Sequence, residues 1–193
     1  MRKVYIKHKK GEKPLLNITV RRVEASVWKS LGFYKHHYLT ADMNKSCKCL
    51  LFEWGDVPIG FCAILNTPRK SVPYGCSISR VVVNPDFQGL GIGSIICNFV
   101  GGIVKSMGDG YRLYIKTAHE KIGEYFDRSP KWIGTSFDHK GRTIESTLSE
   151  GKRYRNRLLR KSYCKEYVGE IINGYEDILL PIKDMREKKR PKN

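Results

Sequence analysis

Long apolar runs are missing from this sequence, which argues against a membrane-spanning helix. Such a helix needs ~18–20 apolar residues, and the best stretch, from Ile92 to Met107, is interrupted by Gly101 and Gly102. The first residues, Met1 to His8, carry no apolar core of the secretory-signal kind, so the chain is expected in the cytoplasm. No C-x-x-C pair occurs. The cysteines stand at positions 47, 49, 62, 76, 97 and 164 with no His or Cys at zinc-like spacing, so no metal is expected. They read as reduced, structural thiols. Cys62 and Cys97 lie inside apolar runs, where cysteine acts as a small core residue. Cys47 and Cys49 should share one face of a strand. Internal repeats are absent too, and no break in composition divides the chain in two.

Acid is scarce. The chain has 36 Lys+Arg against 19 Asp+Glu, a formal net charge of +17. An acidic pocket, which would attract cationic amines, has few residues to be built from. The excess of cations is far more than a single nucleotide-like cofactor needs. Either it serves a polyanion such as DNA or RNA, or it is a solvated basic surface.

What remains is the composition of one soluble globular domain: 193 residues, 40% hydrophobic, too short for two domains of ordinary size. The expected organisation is a basic arm at 1–14, one domain at 15–185 and a charged tail at 186–193. Val4-Tyr5-Ile6 reads as an edge strand or as part of a loose arm. From Ile18 to Leu39, Val20, Val23, Val27, Leu31 and Tyr34 follow helical spacing, with Gly32 allowing two shorter helices. Residues 49–54 and 57–65 flank Gly55-Asp56 as a hairpin, with Pro58 at the start of the second strand. Ile78 to Val83 is a buried strand ended by Asn84-Pro85-Asp86. Positions 92, 95, 96, 99, 100, 103, 104 and 107 give the clearest helical face, with Gly108 as its stop. A strand at 111–118, a helix to about Arg128, and strands at 132–138 and 162–168 complete the pattern. The order predicts a mixed α/β sheet with helices packed on it.

Between strand and clearest helix lies Gln88-Gly89-Leu90-Gly91-Ile92-Gly93-Ser94. The first amides of a helix lack internal acceptors and sit at the positive end of its dipole. Glycines let that backbone come close to a phosphate, and Ser94 offers a hydroxyl. A Walker A loop is excluded because no G-K-[ST] follows. The dinucleotide fingerprint G-x-G-x-x-G is absent, the spacing here being G-x-G-x-G.

With the strand Val81-Val82-Val83 before it, this segment resembles the acetyl-CoA motif of the GNAT superfamily, which reads Q/R-x-x-G-x-G/A. The likeness extends more loosely over residues 15–170. It implies the GNAT fold, a mostly antiparallel central sheet with helices on both faces. It also implies an acetyl-CoA-dependent N-acyltransferase acting by direct transfer in a ternary complex. Amides from Gln88 through Gly89, Leu90, Gly91, Ile92 and Gly93 to Ser94 would hold the pyrophosphate. The pantetheine arm would run along Val81, Val82 and Val83, and His119 would touch it. The strand after the helix would splay away to admit the thioester.

The resemblance further implies a tyrosine as general acid, and Tyr125 stands at the matching place, unless it is only an aromatic core contact. The Glu that many GNAT enzymes use as base is missing, its strand offering Ser77, Ser79 and Arg80 instead. His36 and His37, in His36-His37-Tyr38-Leu39, are the substitutes, either as a base or as an exposed pair ending a helix. Together with Arg80-Val81-Val82-Val83, the His-Tyr element resembles phage and mobile-element GNAT-like proteins, including the Mom type that modifies adenine in DNA. The run Lys152, Arg153, Tyr154, Arg155, Arg157 suits backbone contact with base stacking, or is a solvated loop. Three functions follow: transfer to a nucleic-acid amine, transfer to a small-molecule or protein amine, and a CoA-binding module without turnover.

Overall fold

The computed structural model describes residues 2–6, 16–37, 42–140 and 162–179. Among these residues eight strands form one sheet: β1 Arg2–Ile6, β2 Leu16–Val23, β3 Lys48–Trp54, β4 Val57–Asn66, β5 Gly75–Val83, β6 Arg112–Thr117, β7 Trp132–Gly134 and β8 Tyr163–Tyr167. Their order across the sheet is β1-β2-β3-β4-β5-β6-β8-β7. Every neighbouring pair is antiparallel except β5 and β6, which run parallel. Among the described residues three α-helices accompany it, α1 Val27–Ser30, α2 Ile92–Lys105 and α3 Glu120–Arg128, with a 3-10 turn at Phe33–His36.

One expectation is overturned. Residues 18–23 are not helical but lie in β2, laddered between β1 and β3 from Ile18↔Trp54 to Val23↔Cys49. Ile18 and Val20 alternate onto the α2 face and Val23 onto the Trp28 face, while Val20, Val23 and Val27 also fit helical spacing, and the two flanking strands supply hydrogen-bond partners that decide for strand. Only the two short helical turns around Gly32 survive from that reading. The hairpin, the strand before the glycine turn, the long helix and the two late strands stand where expected, although β7 stops at Gly134. Residues 2–6 pair at the edge of the sheet.

Alternation puts a core on each face. Leu50, Phe52, Cys62 and Ile64 point to one side, where they meet Ile92, Ile96, Phe99 and Ile103 of α2 and Phe126 of α3. Leu51, Phe61 and Ala63 point to the other, where Trp28 and Phe33 cover them. Gly101 belongs to the first contact: a Cβ there would sit 2.3 Å from the ring of Tyr167, so only glycine lets α2 lie this close to β8. All six thiols are buried and free.

A bulge in β5 positions the site. Ala63 pairs with Arg80 and Ile64 with Ile78, which leaves Ser79 as an extra residue. One extra residue inverts the side-chain alternation. Cys76 and Ile78 therefore face α2, whereas Val82 faces the Trp28 core. Just there β5 also parts from β6: the pairing runs from Gly75↔Arg112 to Ile78↔Ile115 and no further. The stretch Ser79–Val83 keeps β4 on one side and, among the described residues, has no strand on the other. The splaying expected after the helix thus shows as the end of the β5–β6 ladder, which leaves an opening between the two parallel strands.

Candidate active site

The glycine turn lies at the mouth of that opening. Asn84 closes β5, its N–H donating to Ile59 O at 2.9 Å and its side chain accepting from Asp86 N–H. Gln88 folds back, its Nε2 donating to Val83 O at 3.1 Å. Gly89 and Gly91 take φ +83° and +80°, the left-handed region that costs other residues about 1–2 kcal/mol. Gly91 is the N-cap of α2. The amides of Ile92, Gly93 and Ser94 follow it with no acceptor inside the helix. Ser94 differs from the expectation: its hydroxyl donates to Gly91 O at 2.7 Å, so it stiffens the turn and offers a ligand its main-chain N–H. Val81 and Val83 lean toward α2, while Val82 is buried on the opposite face.

Tyr125, on α3, is held by a pair of side chains that were not foreseen. Trp132 Nε1–H donates to Asn98 Oδ1 at 2.8 Å, and Asn98 Nδ2–H donates to Tyr125 Oη at 2.6 Å. Indole can only donate, so the amide's oxygen must face Trp132 and its NH₂ must face the phenol. The phenolic oxygen is therefore an acceptor toward Asn98, and its proton points elsewhere. Asn98 did leave a trace in the sequence, as a polar residue set among Ile96, Cys97, Phe99 and Val100. Trp132 left none. Lys165 anchors the end of α3 from β8, bridging Asp127 at 2.6 Å and Asp138, with His139 alongside. The trio Asp127, Asp138 and His139, close enough to share a cation, thus already surrounds an ammonium.

His37 lies across the sheet from Tyr125. It packs edge-on against Trp28, centroids 5.6 Å apart. Burial, and then the charge of Arg80, push its imidazole down to about 4. The unfolded chain thus binds a proton near pH 6.5 that the folded protein refuses until about pH 4. Stability should fall as pH drops through that window and level off below it. Melting temperatures measured from pH 7 to 3.5 should show a shallower decline in His37→Gln than in the parent; parallel curves would contradict the assignment. His36 is exposed on the 3-10 turn. His119 is exposed at the N-cap of α3, its N–H bonded to Thr117 Oγ1. Burial drives the Cys97 thiol up to about 12, which removes it as a nucleophile. Tyr38 and Leu39, the run Lys152, Arg153, Tyr154, Arg155 and Arg157, most of the N-terminal arm and the C-terminal tail lie outside the described residues.

A family model described as Acetyltransferase (GNAT) family matches residues 18–123, more than half of the chain. The chain belongs to the GNAT acetyltransferase family. Solved GNAT-fold structures agree. Arabidopsis thaliana Naa50, in complex with the bisubstrate analogue CoA-Ac-MVNAL, superposes with TM-score 0.55 at 16% identity, over 79% of this chain and 99% of that one. The ribosomal-protein-S18-alanine N-acetyltransferase from Escherichia coli gives 0.55 at 10% identity, over 81% and 96%. An IAA acetyltransferase from Bacillus cereus ATCC 14579 gives 0.52 at 14%, over 77% and 97%. No curated protein matches the sequence significantly. Family membership favours the two enzyme readings over a module without turnover. Among the described residues no helix is long and apolar enough to cross a membrane.

Acetyl-CoA is the acyl donor of the GNAT family, and the residues present fit it. The turn presents first-turn amides beside two left-handed glycines, and at Gly89 a Cβ position would look onto open space. The unpaired edge of Ser79–Val83 offers main-chain groups to an extended arm, in the manner of strand addition.

Proposed function

We propose that this GNAT enzyme acetylates an amine of a nucleic-acid base by direct transfer, with Tyr125 as general acid. The arrangement that carries the transfer chemistry is the opening between β5 and β6, which lies between the face bearing Tyr125 and the face bearing His37. Donor and acceptor can enter from opposite sides of such a gap, and holding both together removes most of the entropy of their encounter.

When bound, acetyl-CoA supplies the thioester: a C–N bond forms to the acceptor nitrogen as the C–S bond breaks. Amides at Ile92, Gly93 and Ser94 would hold the pyrophosphate, and His119 would contact the arm. A main-chain N–H near Val81 or Val82 would stabilise the charge growing on the carbonyl oxygen. Tyr125 Oη would supply a proton to the leaving thiolate and would recover one from water. The donated Asn98 Nδ2–H stabilises the negative charge left on the phenolic oxygen. His37, neutral at any pH where an amine is nucleophilic, accepts a hydrogen bond from the acceptor nitrogen. It has too little proton affinity to keep the proton, which passes to solvent; exposed His36 is the alternative relay.

The charge supports the acceptor. A formal +17 favours a polyanion, and a paired base would have to be extruded to reach the gap. The likeness of His36–Leu39 and Arg80–Val83 to Mom-type proteins points the same way. A second reading is a protein or small-molecule amine, favoured by neighbours whose names specify a peptide-like analogue and an alanine N-acetyltransferase. Labelled acetyl-CoA incubated with plasmid DNA, total tRNA, peptides and polyamines should deposit label in digested nucleosides. Label confined to peptides or polyamines would overturn the nucleic-acid acceptor.

A further inference from the structure

The bulge at Ser79 turns Arg80 to the acceptor side of the opening, where many relatives by resemblance carry an acid. Among the described residues its partners are all neutral. Nη1 donates to Ser79 O at 2.9 Å and reaches Ser79 Oγ at 3.5 Å, while Nη2 donates to Asp42 O at 3.3 Å. The carboxylate of Asp42 is engaged elsewhere, by Lys29 Nζ at 2.9 Å. Nε of Arg80 is buried with no hydrogen-bond partner. Among the described residues no carboxylate pairs with this guanidinium, and its charge is felt by His37. A half-buried cation with unused donors is costly unless an anion completes it. Arg22 also has a buried, unpartnered Nε, but it reaches Ile178 O from β2, away from the gap.

We infer that Arg80 is an anion subsite of the acceptor pocket, so that the acceptor carries an oxyanion, phosphate or carboxylate, close to its reacting amine. This rests on the acyltransferase reading and narrows it. A guanidinium fork matches either oxyanion, and it repels polycationic amines. The subsite also accounts for the missing acid: a carboxylate at position 80 would reject such an acceptor.

The test compares amines of similar size under saturating acetyl-CoA: O-phosphoethanolamine, β-alanine, ethanolamine and spermidine, with thiol release as readout. A charge-assisted hydrogen bond is worth roughly 1.5–3 kcal/mol, so kcat/KM for the better anionic amine should exceed that for ethanolamine by about 30-fold, roughly 2 kcal/mol. Which anion leads separates phosphate from carboxylate. In Arg80→Gln the preference should shrink to within about threefold, while the KM for acetyl-CoA reports an intact fold. Equal rates in the parent, or a preference surviving in Arg80→Gln, would overturn the subsite. A second readout needs no turnover: inorganic phosphate added to the CoA-saturated protein should shift the His37 imidazole resonances, and not in Arg80→Gln. No shift in the parent would count against the subsite, whereas a shift without thiol release from any of these amines, from peptides, or from plasmid DNA or tRNA would spare it and sink the transferase reading.

Discussion

Replacing Tyr125 with Phe should lower kcat by about 100-fold while the KM for acetyl-CoA moves little. General acids typically contribute 10²–10⁴-fold; a thiolate is a fair leaving group, which puts the expectation at the low end. The informative partner is Asn98→Asp. A carboxylate of the same size would still accept from Trp132 Nε1, which now lies 2.8 Å from Asn98 Oδ1. It could not donate, so the hydroxyl of Tyr125, now 2.6 Å from Asn98 Nδ2, would turn its proton inward. The proton would then point away from the sulfur, and kcat should fall about as far as in the Phe variant. Steady-state kinetics on both, with thermal melts as a fold check, decides the matter. If Asn98→Asp keeps parental kcat while Tyr125→Phe loses it, the orienting role fails. If both keep it, Tyr125 is not the acid.

The second large effect concerns the donor. Gly91→Glu should abolish the rise in melting temperature that acetyl-CoA produces, without unfolding the protein. Position 91 has φ +80°, so a side chain there costs about 1–2 kcal/mol of stability, well inside a typical folding margin of 5–15 kcal/mol. The carboxylate also opposes each phosphate charge. At about 4 Å and an effective dielectric of 20 that repulsion is roughly 4 kcal/mol, close to a thousandfold in affinity. Gly91→Ala separates the causes, carrying the strain without the charge. It should melt earlier yet still be stabilised by acetyl-CoA. Unchanged stabilisation in Gly91→Glu would show that the pyrophosphate binds elsewhere.

Much of this was legible in the residues alone, because the signals were local. The G-x-G-x-G turn after Val81–Val83, the long apolar face starting at Ile92 and the Gly55-Asp56 hairpin each depend on neighbours a few positions away. Periodicity and backbone permissiveness therefore report these elements directly, and the likeness of the glycine turn to the GNAT motif pointed to the family. Ile18–Val23 was misread because its spacing suits two structures, and the choice lay with β1 and β3, which a local window cannot see. The pairing of Asn98 with Tyr125 and Trp132 spans 27 and 34 positions, so no local pattern contains it. The fate of Arg80 turned on one extra residue at Ser79. A bulge is a property of two strands in register, and only once β4 was laid against β5 did Arg80 come to the acceptor side of the opening, where it awaits an anion.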